Sequence, residues 1–146
     1  MKAALFAVAL AAAHLTGLAA AGPARADWSD EVRATYIAFV VAQNARDLKT
    51  VRSLLLDSPQ FLWVSDGRAV WGPDATLERM ASFQEAEVWR LEPALADAVP
   101  VRVGEGTAFL HLPLRLAIGS ARSPDALKFL VSVLCTGPRT AGASPR

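Results

Sequence analysis

Within Phe61–Phe83, FLWVSDGRAVWGPDATLERMASF, the chain must extend, reverse, extend again and then coil. Phe61–Ser65 is aromatic and apolar, with a β-branched Val64, and reads as a strand. Asp66-Gly67 is a strong turn signal, because Gly67 accepts the positive φ of a tight hairpin. Ala69–Trp71 is the short return strand. Pro73 suits the first helical position, and Asp74 falls in the first turn, where unpaired N–H groups favour negative charge. Leu77, Met80 and Ala81 give the helix that follows one apolar side.

Two helices are predicted before this unit and a meander of strands after it. Asp27–Asn44 carries Val32, Tyr36, Phe39, Val40 and Gln43 on one helical stripe, with Asp27 or Ser29 able to cap it. Asn44-Ala45-Arg46-Asp47 makes a corner, and Asp47 caps a short helix, Leu48–Leu56, with Leu48, Val51, Leu54 and Leu55 on one face. Asp57-Ser58-Pro59 ends it. Farther on, Val88–Glu92 alternates, with Trp89 and Leu91 pointing one way. Val99–Val103 is a strand whose Pro100 belongs at an edge or bulge. Thr107–Ile118 is the clearest strand: Leu110, Leu112, Leu114, Leu116 and Ile118 form one row, and Phe109, His111, Pro113, Arg115 and Ala117 the other. Gly119–Asp125 reads as a loop and Ala126–Cys135 as a last strand. Helices packed on one face of an antiparallel sheet make an α+β fold.

The first residues are read separately. Lys2 gives a positive start, Ala3–Ala13 is almost wholly apolar, Gly22-Pro23 breaks any helix, and Ala24-Arg25-Ala26 has the small-x-small order of a cleavage site. Residues 1–26 are therefore expected to be a secretory signal, cut before Asp27, leaving a periplasmic or secreted protein without a membrane anchor. The alternative is a membrane anchor, but His14, Thr16 and Gly17 interrupt the run short of the ~20 residues a spanning helix needs. About 120 residues remain, enough for one domain, 27–135, and too few for two. Of 15 Lys+Arg and 14 Asp+Glu, Lys2 and Arg25 would leave with the signal, so 13 bases face 14 acids. That balance, with no basic run, argues against a nucleic-acid partner. The single Cys135 rules out an internal disulfide and reads as a small core residue.

Helix, "AQNARDL" corner, helix, "DSPQFLWV", turn, "VWGPDATLERM" and then strands resembles the nuclear transport factor 2-like superfamily, in particular its bacterial SnoaL-like members. Ketosteroid isomerases and polyketide cyclases are among the relatives. The resemblance covers Glu31–Cys135. It implies a cone-shaped roll, a strongly bent sheet around three helices with a hydrophobic pocket inside, and pairing of copies through the outer sheet face. Asp66 matches the general base of isomerase relatives. Their helix-1 Tyr position falls on Phe39, and their late-strand acid falls in Lys128–Ser132, which has none. A base without its oxyanion donors stabilises an enolate poorly, and Asp66-Gly67 is equally what a turn needs. Relatives end on a long strand inside the sheet. Here Gly137–Arg146 carries no strand pattern, so 136–146 is expected to be a disordered, truncated or frame-shifted tail, and the sheet to lack that strand.

The remaining candidates are weighed on chemistry. Tyr36 and Phe39 read first as packing and second as pocket lining. Trp63, Trp71 and Trp89 supply flat walls and N–H donors to a pocket, or simply fill a core. His111 belongs on the outer face if the leucine row faces the helices, and in the pocket if the rows are swapped. A lone His in the mature chain makes no metal site, no cofactor is expected, and no nucleophile elbow or phosphate loop is present. Three readings follow. The first is an exported domain binding a small, mostly apolar molecule in a pocket lined by Tyr36, Phe39, Trp63, Trp71, Trp89 and His111. The second is an isomerase, cyclase or hydrolase using Asp66 as base, with Arg90 or His111 assisting. The third is a non-enzymatic dimerising module.

Overall fold

The computed structural model describes residues 27–137. The expected signal, 1–26, and residues 138–146 of the expected tail lie outside the described residues. In chain order come α1 (Trp28–Asn44), α2 (Leu48–Leu54), β1 (Leu62–Ser65), β2 (Arg68–Trp71), α3 (Pro73–Gln84), β3 (Val88–Pro93), a 3₁₀ turn (Leu95–Asp97), β4 (Val99–Gly104), β5 (Thr107–Ser120) and β6 (Ser123–Thr136). Three helices pack on a curved antiparallel sheet, the expected α+β architecture.

The hairpin that organises the chain closes as its residues dictate. Asp66 and Gly67 both take positive φ, 53° and 66°, in a two-residue turn between Ser65 and Arg68. That is the type I′ geometry whose twist matches the strands. Pro73 stands at the start of α3, after a Gly72 with φ 82°. Asp47 caps α2, accepting from the Thr50 N–H at 3.0 Å and the Thr50 hydroxyl at 2.6 Å; those bonds hold its carboxyl below the usual range. The cap expected on α1 differs. Asp27 sits at the cap position but its side chain accepts from no backbone N–H of the helix; its carboxylate accepts from the Ser29 hydroxyl at 3.0 Å instead.

In the larger sheet β5 is central. β3 pairs with its Leu114–Gly119 half and β4 with its Thr107–His111 half, so the two share one side end to end. β6 runs along the other side from Ser123 to Thr136. The leucine row faces the helices: Leu110 and Leu112 are fully buried and Leu114 nearly so, packed on Val32, Tyr36 and Val40 of α1. A second cluster joins Ala42, Val51 and Met80 between the three helices. Pro100 lies on a strand at the sheet edge that also carries a bulge.

The loop expected at Gly119–Asp125 is not a loop. β5 runs on to Ser120, β6 starts at Ser123, and Ala121-Arg122 alone makes the turn. Thr136, placed by sequence in the tail, ends β6, and the Gly137 N–H donates to the Gly106 carbonyl at 2.7 Å.

Candidate ligand-binding site

The register places Trp89, Leu91, Leu116, Ile118, Leu127 and Phe129 on the helix-facing side of the sheet, beside the buried leucines. Burial falls off along this face. Leu110 and Leu112 are completely covered, Leu116, Ile118 and Trp89 are half-buried, and Leu127 and Phe129 are each 42% exposed. The concave face is therefore open at its β5–β6 hairpin end, and what it presents there is apolar. Phe83 of α3 stacks on Trp89 at 6.3 Å between ring centroids and meets Trp63 edge-on at 6.3 Å, which carries an aromatic wall up from the sheet.

A polar centre lies beside this wall. Gln43 and Gln84 are 2% and 5% exposed. The Gln84 amide donates to the Gln43 side-chain oxygen at 2.6 Å, the Gln43 amide donates to the Met80 sulfur at 3.1 Å, and the Trp89 indole N–H donates to the Gln43 carbonyl at 3.1 Å. The Gln84 Oε1 accepts from no described group, an unusual state for a buried acceptor. Gln84 is the last residue of α3, directly before the polar Glu85-Ala86-Glu87 run. The signal that finds both residues is position: Gln43 falls seven after Tyr36 on the apolar stripe, and Gln84 four after Met80.

The residues expected to line one pocket are not gathered in one place. Tyr36 is buried and stacks on Phe39 at 6.1 Å, and burial pushes its hydroxyl pKa up to about 12. Phe39 touches both core clusters, Trp63 the inter-helix one and Trp89 the sheet one. Tyr36 and Phe39 pack in the interior, while Trp63 and Trp89 are half-buried at its margin, joined through Phe83. Trp71 is 59% exposed and borders an open hollow of about 530 Å3 with Arg52, Ser58, Pro73 and Asp74. His111 stands on the opposite side of the sheet from the leucine row, where its Nδ1 meets the Ser132 hydroxyl at 3.1 Å. Asp66 is on the β1–β2 turn with its side chain 83% exposed, 3.9 Å from Arg79. A second hollow of about 340 Å3 lies along Arg68, Val70, Glu78, Arg79 and Ser82. Among the described residues no group of His, Cys, Asp and Glu is placed to hold a metal ion.

No protein-family model matches the sequence, and no curated protein matches it. Solved structures do. A Caulobacter vibrioides protein with a cystatin-like fold superposes with TM-score 0.63 at 15% identity, over 76% of this chain and 80% of that one. An NTF-2 like protein of Shewanella oneidensis gives 0.60 at 15%, over 73% and 84%. An M. tuberculosis LEH-like epoxide hydrolase gives 0.53 at 18%, over 75% of each chain. The fold is thus the NTF2-like one that the sequence resembles.

Proposed function

We propose that this domain binds a small, mostly apolar molecule on the concave face of its sheet, at the hairpin end. The observation that carries the reading is the row on the helix-facing side that runs from half-buried Leu116 and Ile118, the latter paired with Trp89, to Leu127 and Phe129, each 42% exposed. Contiguous apolar surface of this kind, walled by aromatic rings, is where an apolar ligand gains most by leaving water. One protein of the same fold is an epoxide hydrolase, so the architecture is compatible with small-molecule ligands. We also infer export, from residues 1–26, and pairing of copies through the outer sheet face. On that face Val99, Val101, Leu130 and Leu134 are 54%, 47%, 73% and 62% exposed.

The test uses anilinonaphthalene sulfonate, whose emission rises on apolar surface. The domain is expected to bind it, with Phe129→Ser and Leu127→Ser losing most of the signal and Leu130→Ser, one residue away on the outer face, keeping it. Equal loss from Leu130→Ser, or no loss from Phe129→Ser, would overturn the assignment of the concave face.

A further inference from the structure

The two edges of the larger sheet are finished differently. On the β3–β4 side, side chains of α1 and the corner after it bond backbone groups of β3 and of the residues that flank β3 and β4. Asn44 donates to the Leu91 carbonyl at 2.9 Å and accepts from the Leu91 N–H at 2.7 Å. Arg33 reaches the carbonyls of Leu95 and Ala98 at 3.1 and 2.8 Å, and Arg46 those of Ala86 and Glu87 at 2.7 and 3.1 Å. On the other side, β6 presents a 14-residue edge that no described strand or side chain covers. An edge of that length is a template for another strand.

Which groups it presents follows from the register. Ser120 pairs with Ser123 across a two-residue turn, so this pair must exchange both ladder bonds, and the pattern alternates from there. The backbone groups of Ser123, Asp125, Leu127, Phe129, Val131, Val133 and Cys135 point inward to β5. Those of Ala126, Lys128, Leu130, Ser132, Leu134 and Thr136 point outward. Pro113 of β5 agrees with this phase: its carbonyl accepts from the Ala94 N–H at 2.9 Å, on the side away from β6.

The outward strand is also self-complementary. Leu130-Val131-Ser132-Val133-Leu134 reads identically in both directions. We infer that β6 pairs with β6 of a second copy, antiparallel, about a two-fold axis through Ser132. Leu130 then lies opposite the partner's Leu134, Val131 opposite the partner's Val133, and Ser132 opposite its own copy. All pairs of outward residues from Lys128 to Thr136 exchange hydrogen bonds in this register. The run Phe129–Cys135 carries no charge, so no like charges are opposed, and Lys128 falls opposite the partner's Thr136. The axis is perpendicular to the sheet, which keeps both concave faces on one side and extends the apolar strip of Val131 and Val133 across the junction. A contact of this kind differs from face-to-face packing of the outer surfaces, which leaves the edge amides in water.

Residue-resolved amide exchange on the full chain, concentrated and dilute, is the test. The Leu130, Ser132 and Leu134 amides are expected to be protected in concentrated solution and to lose protection on dilution, while Val131 and Val133 stay protected in both. Leu130→Pro removes an N–H that the β5 ladder does not use, so it should sediment as a smaller species with an unchanged far-ultraviolet spectrum. If that variant fails to fold, the dilution experiment still decides. Unprotected Leu130 and Ser132 amides at every concentration overturn the proposal, even if a dimer forms through another surface. Protection that persists on dilution but disappears when the chain is ended at Gly137 also overturns it, assigning the edge to residues 138–146.

Discussion

Asn44→Ala should be among the most costly polar substitutions in this chain. The Asn44 side chain acts as one residue's length of strand, meeting both the N–H and the C=O of Leu91, at 2.7 and 2.9 Å. Leu91 is 9% exposed and its N–H and C=O point away from β5, so water reaches them poorly once Asn44 is gone. Two lost bonds at ~1 kcal/mol each, with part of the cost of stranding their partners, give about 2–3 kcal/mol. With a urea slope of ~1.5 kcal/mol per M for a domain of this size, the midpoint should fall by roughly 1.3–2 M. Asn44→Asp separates the two bonds, because it keeps an acceptor for the N–H but sets a carboxylate oxygen against the Leu91 carbonyl. It should be at least as destabilising as the alanine. The Leu91 amide should also exchange faster in both variants, ahead of global unfolding. A midpoint within ~0.3 M of the parent for Asn44→Ala, or an unchanged Leu91 amide, would refute the view that this side chain closes the sheet edge.

Leu112→Ala removes a fully buried side chain from the centre of β5 and should cost about 3–5 kcal/mol by chemical denaturation, close to the whole stability of a small domain. Gly67→Ala forces a Cβ onto φ 66° in a type I′ turn and should cost ~1 kcal/mol. Asp66→Asn should shift stability by less than ~0.5 kcal/mol, since Asn accepts the same φ and a 3.9 Å ion pair whose carboxylate is 83% exposed contributes little. Tyr36 is the chain's single tyrosine, so absorbance near 295 nm reports on it alone. Burial pushes its folded pKa up to about 12, above the ordinary phenol value of 10.0. Its contribution is therefore full below pH 10 and is lost as pH rises from 10 toward 12, on the order of 2 kcal/mol over that window. Tyr36→Phe should flatten stability across this range, and an ordinary phenol titration near 10 would refute the burial argument.

Much of this fold is legible from residues because local chemistry and tertiary structure agree. Asp66-Gly67 demands the turn it makes, Asp47 caps the helix that follows it, and the leucines of β5 alternate onto the face the helices cover. The misreading at Gly119–Asp125 has a physical cause. Gly, Ser, Pro and Asp in one short stretch signal a loop wherever each backbone group needs a ladder partner. Here Pro124 pairs with Gly119 at a position whose N–H would point out of the sheet, so proline loses no ladder bond and the strand continues through it. Pro113 escapes penalty in the same way, because only its carbonyl is used. Composition alone does not carry that phase; the distance in residues from the Ala121-Arg122 turn does.

The site was less legible than the fold because it depends on which apolar residues remain uncovered, and alternation specifies a face without specifying its lid. Leu112 and Leu116 belong to one row and read alike in sequence, yet α1 reaches the first and leaves the second half-open. The same holds across the sheet. Val131 and Val133 pack against the core cluster, while Leu127 and Phe129 continue their row into solvent. The boundary lies where α1 ends its contact with the sheet. Asn44, at the C-terminal end of α1, ties that end to β3 opposite Leu116 rather than out over β6. One amide therefore joins the two halves of the argument. It bonds the β3 edge, and α1, tied over that side, leaves Leu127 and Phe129 of the β5–β6 hairpin partly exposed and the β6 edge without a described strand beside it.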